Sequence, residues 1–142
     1  MIDEKDNQII EILLSSGREP ASSISEKLGM SVPTVIDRIK KMQDSNVISG
    51  FKAIINYKKM GLDVSALITI ISESSDNFSA IVEKSQDTVE VIKCFATTGS
   101  GSHVLLVNAK DTDSLEKILR KIQSWEGVKR TETQIILSSH KN

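Results

Sequence analysis

Hydrophobic positions recur at helical spacing for the first forty-odd residues and then change to runs of strand length. Asp3 can cap a first helix that carries Asp6, Ile9, Ile10, Leu13 and Leu14 and is stopped by Gly17. A second helix carries Ala21, Ile24 and Leu28, and Gly29 supplies the left-handed residue that ends it. Pro20 sits where a capping side chain is expected, so the start of that helix is undefined by sequence. Ser31 caps a third helix, which tolerates Pro33 in its first turn because that amide has no intrahelical partner. Val32, Val35, Ile39 and Met42 are spaced three, four and three, which makes one apolar stripe at 3.6 residues per turn. Three short helices with about a dozen inward aliphatics form a small but viable core.

From Val47 the period shortens. Val47, Ile48, Phe51, Ala53, Ile54 and Ile55 suggest an extended arm broken by Gly50, with a turn or short helical bend at Asn56 to Gly61. Strands are expected at Val64 to Ser72, Val89 to Thr97, His103 to Ala109 and Thr133 to Leu137. Phe78, Ile81 and Val82 mark a helix after Asp76; Leu115, Ile118, Leu119 and Ile122 mark another, capped near Asp113 and closed by Gly127. The order βαββαβ is that of a ferredoxin-like sandwich, so the fold class is α+β. The division is 1–47 for a helix-turn-helix domain, 48–63 for a β linker and 64–142 for the ferredoxin-like domain.

The strands are apolar on both faces: Leu67, Ile68, Ile70 and Ile71 in one, Val104 to Val107 in another. Two helices cover only one face of such a sheet. Either a second copy covers the other, giving a homodimer sheet against sheet, or the N-terminal domain does.

The third helix is the candidate for chemistry. Opposite its apolar stripe lie Pro33, Asp37, Lys40, Lys41 and Asp44, with Thr34 beside them. A helix sheltered on one side and carrying paired lysines on the other suits entry into the major groove of double-stranded DNA. Ser31, Thr34 and Asp37 are placed near base edges; Lys40 and Lys41 near phosphates. Arg38 flanks the stripe, where it either reaches phosphate or ties the helix to an acidic residue of the first helix. Asp37 can equally pair with Lys41 four residues on.

Composition changes this picture little. The 39% hydrophobic and 26% charged residues are ordinary for a globular chain, and the formal net charge is −1. Between Lys27 and Lys59, however, basic residues exceed acidic ones by 5, while from Gly61 onward acidic residues lead by 2. Positive charge therefore gathers around the reading helix. No apolar run approaches membrane-spanning length and the N-terminus lacks a secretory pattern, so a cytoplasmic protein with no membrane partner is expected. The single cysteine, Cys94, allows no intrachain disulfide, and the two histidines are isolated, so no metal site is expected. Cys94 reads as a packed small side chain, and Trp125 as the anchor of the last helix.

The series Asp3, Asp6, Ile9-Ile10, Leu13-Leu14, then Leu28-Gly29-Met30-Ser31, Val35, Arg38-Ile39, Met42 and Val47-Ile48 resembles the N-terminal domain of Lrp/AsnC-type (feast/famine) transcription factors. Thr98-Gly99 and Arg130-Thr131-Glu132-Thr133 are similar to motifs of that family's C-terminal domain, so the resemblance spans nearly the whole chain. It implies a regulator that dimerises through the C-terminal domain, assembles further into octamers, and senses an amino acid between dimers, with no cofactor. It places the effector site on Thr98, Gly99, Ser100, Gly101, Ser102 and His103. Where the family usually has Thr-Gly-Asp-x-Asp, this chain has Ser100 and Ser102. A hydroxyl can hydrogen-bond an ammonium group but cannot neutralise it. Either the effector differs, another residue supplies the charge, or there is none. His103 could titrate as a sensor, although a histidine beside a turn is more often a surface residue.

Two other readings remain, one from the loop residues and one from the resemblance of the two-domain plan to haem-pathway decarboxylases. The serines in the loop favour an effector-independent architectural DNA-binding protein. A haem-pathway decarboxylase-like enzyme shares the two-domain plan, but it needs basic and histidine side chains converging on a pocket, and the C-terminal domain offers His103 and few centrally placed arginines. The expectation is that the chain is not an enzyme.

Overall fold

The computed structural model describes residues 1–141. The chain divides into two compact units, Met1–Ile54 and Ile55–Asn142.

The first unit holds α1 (Glu4–Ser15), α2 (Ala21–Leu28) and α3 (Val32–Asp44). Asp3 caps α1 in a reciprocal capping box with Asp6, each carboxylate accepting from the other's backbone amide at 2.9 and 3.1 Å. The helix ends at Ser15 with Ser16 extended, so Gly17 lies beyond the stop rather than making it. Pro20 precedes α2 without a side-chain cap. Instead, Glu19 accepts hydrogen bonds from Ser23 and from Lys27, the latter at 2.8 Å, and these hold its carboxyl below the usual carboxylate range. Gly29 takes the left-handed conformation, φ 65°, that ends α2. Ser31 caps α3 through the Thr34 amide. Ile9, Ile24, Val35 and Met42 form the buried centre of this unit, with Ile39 packed against them. Val32 is not among them: the stripe on α3 begins one turn later than its spacing suggests.

Residues 49–56 carry no regular secondary structure, and a 3-10 turn follows at Tyr57–Met60. The second unit then contains β1 (Val64–Ser72), α4 (Phe78–Asp87), β2 (Val91–Ala96), β3 (His103–Ala109), α5 (Thr112–Gln123) and β4 (Val128–Ile135). The strands form one antiparallel sheet in the order β2-β3-β1-β4, the ferredoxin-like arrangement. Ala66, Ile68 and Ile70 of β1 stand beside Val107, Leu105 and His103 of β3, and these side chains pack under Ile81 of α4 and Leu115, Ile118 and Ile122 of α5. Cys94 and Trp125 join this core as expected.

Boundaries in the second unit differ from the sequence reading: α5 ends at Gln123 with Ser124 as its cap, so Gly127 lies beyond the helix. β2 begins at Val91, leaving Val89 exposed before it. The N-cap of α5 is Asp111, accepting from the Ser114 amide at 2.8 Å, so Asp113 falls in the first turn. β4 runs from Val128 to Ile135 rather than from Thr133 to Leu137. It is an edge strand, so its Lys-Arg-Thr-Glu-Thr-Gln run stays solvated and carries little of the apolar content that marks a strand in sequence.

The opposite sheet face carries Leu67 beside Leu106, Val104 beside Phe95, and Ile71, with Lys93, Arg130, Glu132 and Gln134 towards the edges. Leu67, Ile71, Val104 and Leu106 are half-buried, and Phe95 is 52% exposed.

Candidate nucleic-acid interface and effector loop

The polar groups of α3 are engaged in an ordered way. Ser31 and Thr34 share a hydroxyl–hydroxyl hydrogen bond of 2.7 Å, and Ser31 Oγ also accepts from the Thr34 amide. Asp37 pairs with Lys41 at 3.0 Å across one turn, both side chains exposed. Arg38 turns inward. Its Nη1 donates to both Asp3 oxygens at 2.9 and 2.8 Å and to Asp6 Oδ1 at 3.0 Å. Of its two possible roles the structure therefore shows the tie to α1, not an open route to phosphate. The guanidinium holds the Asp3 carboxyl below the usual range, and the two carboxylates raise the arginine's own pKa.

Lys40 is exposed with no ion-pair partner among the described residues, and Lys41 is held only by the solvated pair with Asp37. Pro33 is exposed in the first turn. Two side chains the sequence reading did not place on this face also emerge there: Ile36 and Val32. The signal was available, since Ile36 interrupts the polar side of the helix, but a lone aliphatic there says nothing until the packed direction is known.

The β2–β3 loop contains the effector candidates. Thr98, Gly99 and Ser100 are exposed, and Gly99 is left-handed at φ 102°. Gly101 lies against β1: a Cβ there would meet the Thr69 methyl and come within 3.1 Å of the Ile70 carbonyl oxygen. The Ser102 amide donates to that same carbonyl at 2.9 Å. Ser102 Oγ lies 2.7 Å from His103 Nδ1, so it already has a partner within the chain. His103 is not a surface residue. It is fully buried on the helix-covered face, its ring 4.6 Å from that of Phe78, and burial pushes its pKa down. Its Nε2 has no hydrogen-bond partner among the described residues. The structure thus brings together Thr98, Gly99 and Ser100 as an open loop and turns Ser102 and His103 inward.

A helix-turn-helix with a lysine-bearing reading helix, joined in one chain to a ferredoxin-like domain with a glycine-rich loop, defines the class of DNA-binding transcriptional regulators. The AsnC-type helix-turn-helix domain matches residues 2–43 and the Lrp/AsnC ligand binding domain matches residues 64–142. The chain belongs to the Lrp/AsnC family of transcriptional regulators. It is 33% identical to the HTH-type transcriptional regulator FL11 of Pyrococcus furiosus over 99% of this chain and 93% of that protein. It is 30% identical to the regulatory protein AsnC of Escherichia coli, covering 98% and 92%. The solved E. coli AsnC structure superposes with a TM-score of 0.87, covering 98% and 94% of the two chains at 30% identity. A feast or famine regulatory protein of M. tuberculosis, complexed with L-methionine, superposes with a TM-score of 0.90 at 29% identity, covering 100% and 96%. These relatives are regulators, so the decarboxylase alternative falls away and the chain is not an enzyme. No helix among the described residues is long and apolar enough to cross a membrane.

Proposed function

We propose that this regulator works as a homodimer, with higher assembly such as an octamer, in the cytoplasm, and that it binds double-stranded DNA through α3. The observation that carries the reading is the outward placement of Lys40 and Lys41 on a helix whose other side is sealed by Val35, Ile39 and Met42. Ser31, Pro33, Thr34 and Asp37 accompany them on the accessible side, and Arg38 serves by fixing α3 to the cap of α1. The half-buried Leu67, Val104 and Leu106 with the exposed Phe95 support pairing of sheets between copies. Residues 48–63 act as the arm between the DNA-binding part, 1–47, and the assembly part, 64–142.

The small-molecule reading assigns the effector, an amino acid or related metabolite, to Thr98, Gly99 and Ser100, with Gly101, Ser102 and His103 shaping the loop behind them. The M. tuberculosis neighbour's complex with L-methionine makes that amino acid the first to test. Titrating fluorescent duplexes from a randomised pool at several salt concentrations tests DNA binding. The expected result is a selected, inexactly palindromic site whose affinity falls steeply with salt. Thermal-shift measurements with each common amino acid then separate a sensed regulator from an effector-independent one. A shift abolished by Ser100→Ala supports the loop; no shift with any amino acid favours the architectural alternative.

A further inference from the structure

The accessible side of α3 has few polar groups left to read bases. Ser31 and Thr34 bond each other and the helix amide. Asp37 is paired with Lys41, and Arg38 is committed to Asp3 and Asp6. The side chains that remain unengaged in the N-terminal half of the helix are Val32, Pro33 and Ile36. Val32 is 37% exposed and Ile36 54% exposed. They lie one turn apart, so their methyl groups form a short aliphatic edge, and Lys40 continues the same line one turn further on.

We propose that Ile36, assisted by Val32, is a specificity-determining residue that reads thymine through its C5 methyl group. The inference rests on α3 entering a duplex as proposed above. In the major groove thymine alone among the four bases presents a methyl, and an aliphatic side chain contacts it without hydrogen bonds. The geometry fits the charge order along the helix: the aliphatic edge occupies the N-terminal half that meets base edges, and Lys40 and Lys41 occupy the half nearer the backbone. Ile36 is 54% exposed and stands outside the packed core of its unit, and a thymine methyl covers the part left in water. Discrimination at these positions is therefore for thymine over the other three bases, set by an apolar contact.

The test uses the full chain and its selected duplex. Each thymine is replaced in turn by uracil, which deletes one methyl and keeps the base pair. One or two positions per half-site should lose about fourfold in affinity, the worth of one buried methyl. Ile36→Ala should bind the thymine duplex more weakly and lose the difference between thymine and uracil at one of those positions. Ile36 is exposed, so this variant should keep the wild-type melting temperature, which is measured alongside. Wild-type binding that ignores every uracil overturns the inference while leaving DNA binding intact. Full uracil sensitivity in Ile36→Ala overturns it equally. If wild type selects no duplex at all, the functional reading fails and this inference falls with it.

Discussion

Arg38 Nη1 lies 2.8 Å from Asp3 Oδ2, a contact between α3 and the capping residue of α1 across 35 positions of sequence. With Asp6 as the third member, one guanidinium closes over both carboxylates of the capping box. The aim of the reading helix relative to its support therefore depends on a charge cluster at the end of α1.

Removing the guanidinium tests this. Arg38→Ala leaves the nearly buried Asp6 carboxylate beside Asp3 without its counter-charge, which is costlier than losing an exposed pair. The variant should melt a few degrees below wild type at neutral pH. Asp3 has a lowered pKa in the folded state, so its stabilisation is present above the ordinary value near 3.8 and lost as pH falls below it. The gap between variant and wild type should accordingly narrow in thermal melts taken below about pH 4.

Lys40→Ala combined with Lys41→Ala should weaken binding to every duplex by a similar factor. Each lost phosphate contact reduces the slope of log affinity against log salt by about 1, so the double variant should show a slope shallower by up to about 2. Fluorescence anisotropy across a salt series measures it, and an unchanged slope would place the docking face elsewhere.

Gly101→Ala should be destabilising despite its loop position. The added methyl meets the Thr69 side chain and the Ile70 backbone, so either the loop lifts or β1 shifts. Loss of the Ser102 amide bond to Ile70 would follow. About 1–3 kcal/mol is expected from chemical denaturation, typical of overpacking. Ala at Ser100, which is exposed, should leave stability within about 0.5 kcal/mol of wild type.

Burial of His103 has a pH consequence. Its folded pKa is lowered, so on acidification the unfolded chain takes up the proton first, at the ordinary value near 6.5. Stability is full above that pH and declines as pH falls below it. His103→Gln, which cannot titrate there, should flatten the decline in melting temperature between pH 7 and pH 5. Equal slopes for the two proteins would assign the acid sensitivity to another group.

Phe95→Asp places a carboxylate on the uncovered sheet face. If copies pair through that face, sedimentation should show the dimer shifting towards monomer at micromolar concentration, with the helix-covered core undisturbed and far-UV dichroism retained.

Much of the architecture was written in local pattern. The caps at Asp3 and Ser31, the left-handed Gly29 and the apolar strands β1 and β3 depend on residues within a few positions of one another, so periodicity and side-chain chemistry are enough to find them. The polar edge strand β4 escaped its true limits because pairing along one edge, not burial, makes it a strand. Among the candidate site residues, the exposure of Lys40 and Lys41 was legible from the apolar stripe they oppose. The fate of Arg38 was not, since its choice between phosphate and carboxylate depends on where α1 begins in space.

The amino-acid order by itself determined the helices, the apolar strands β1 and β3, and that α3 has one greasy and one basic side, because those outcomes are decided by neighbours along the chain. Tertiary packing alone decided that Val32 and Ile36 stay in water, that His103 turns under α4, and that Arg38 is claimed by Asp3 and Asp6. Each of these depends on the direction from which a distant element approaches, and helical or strand period leaves that direction open.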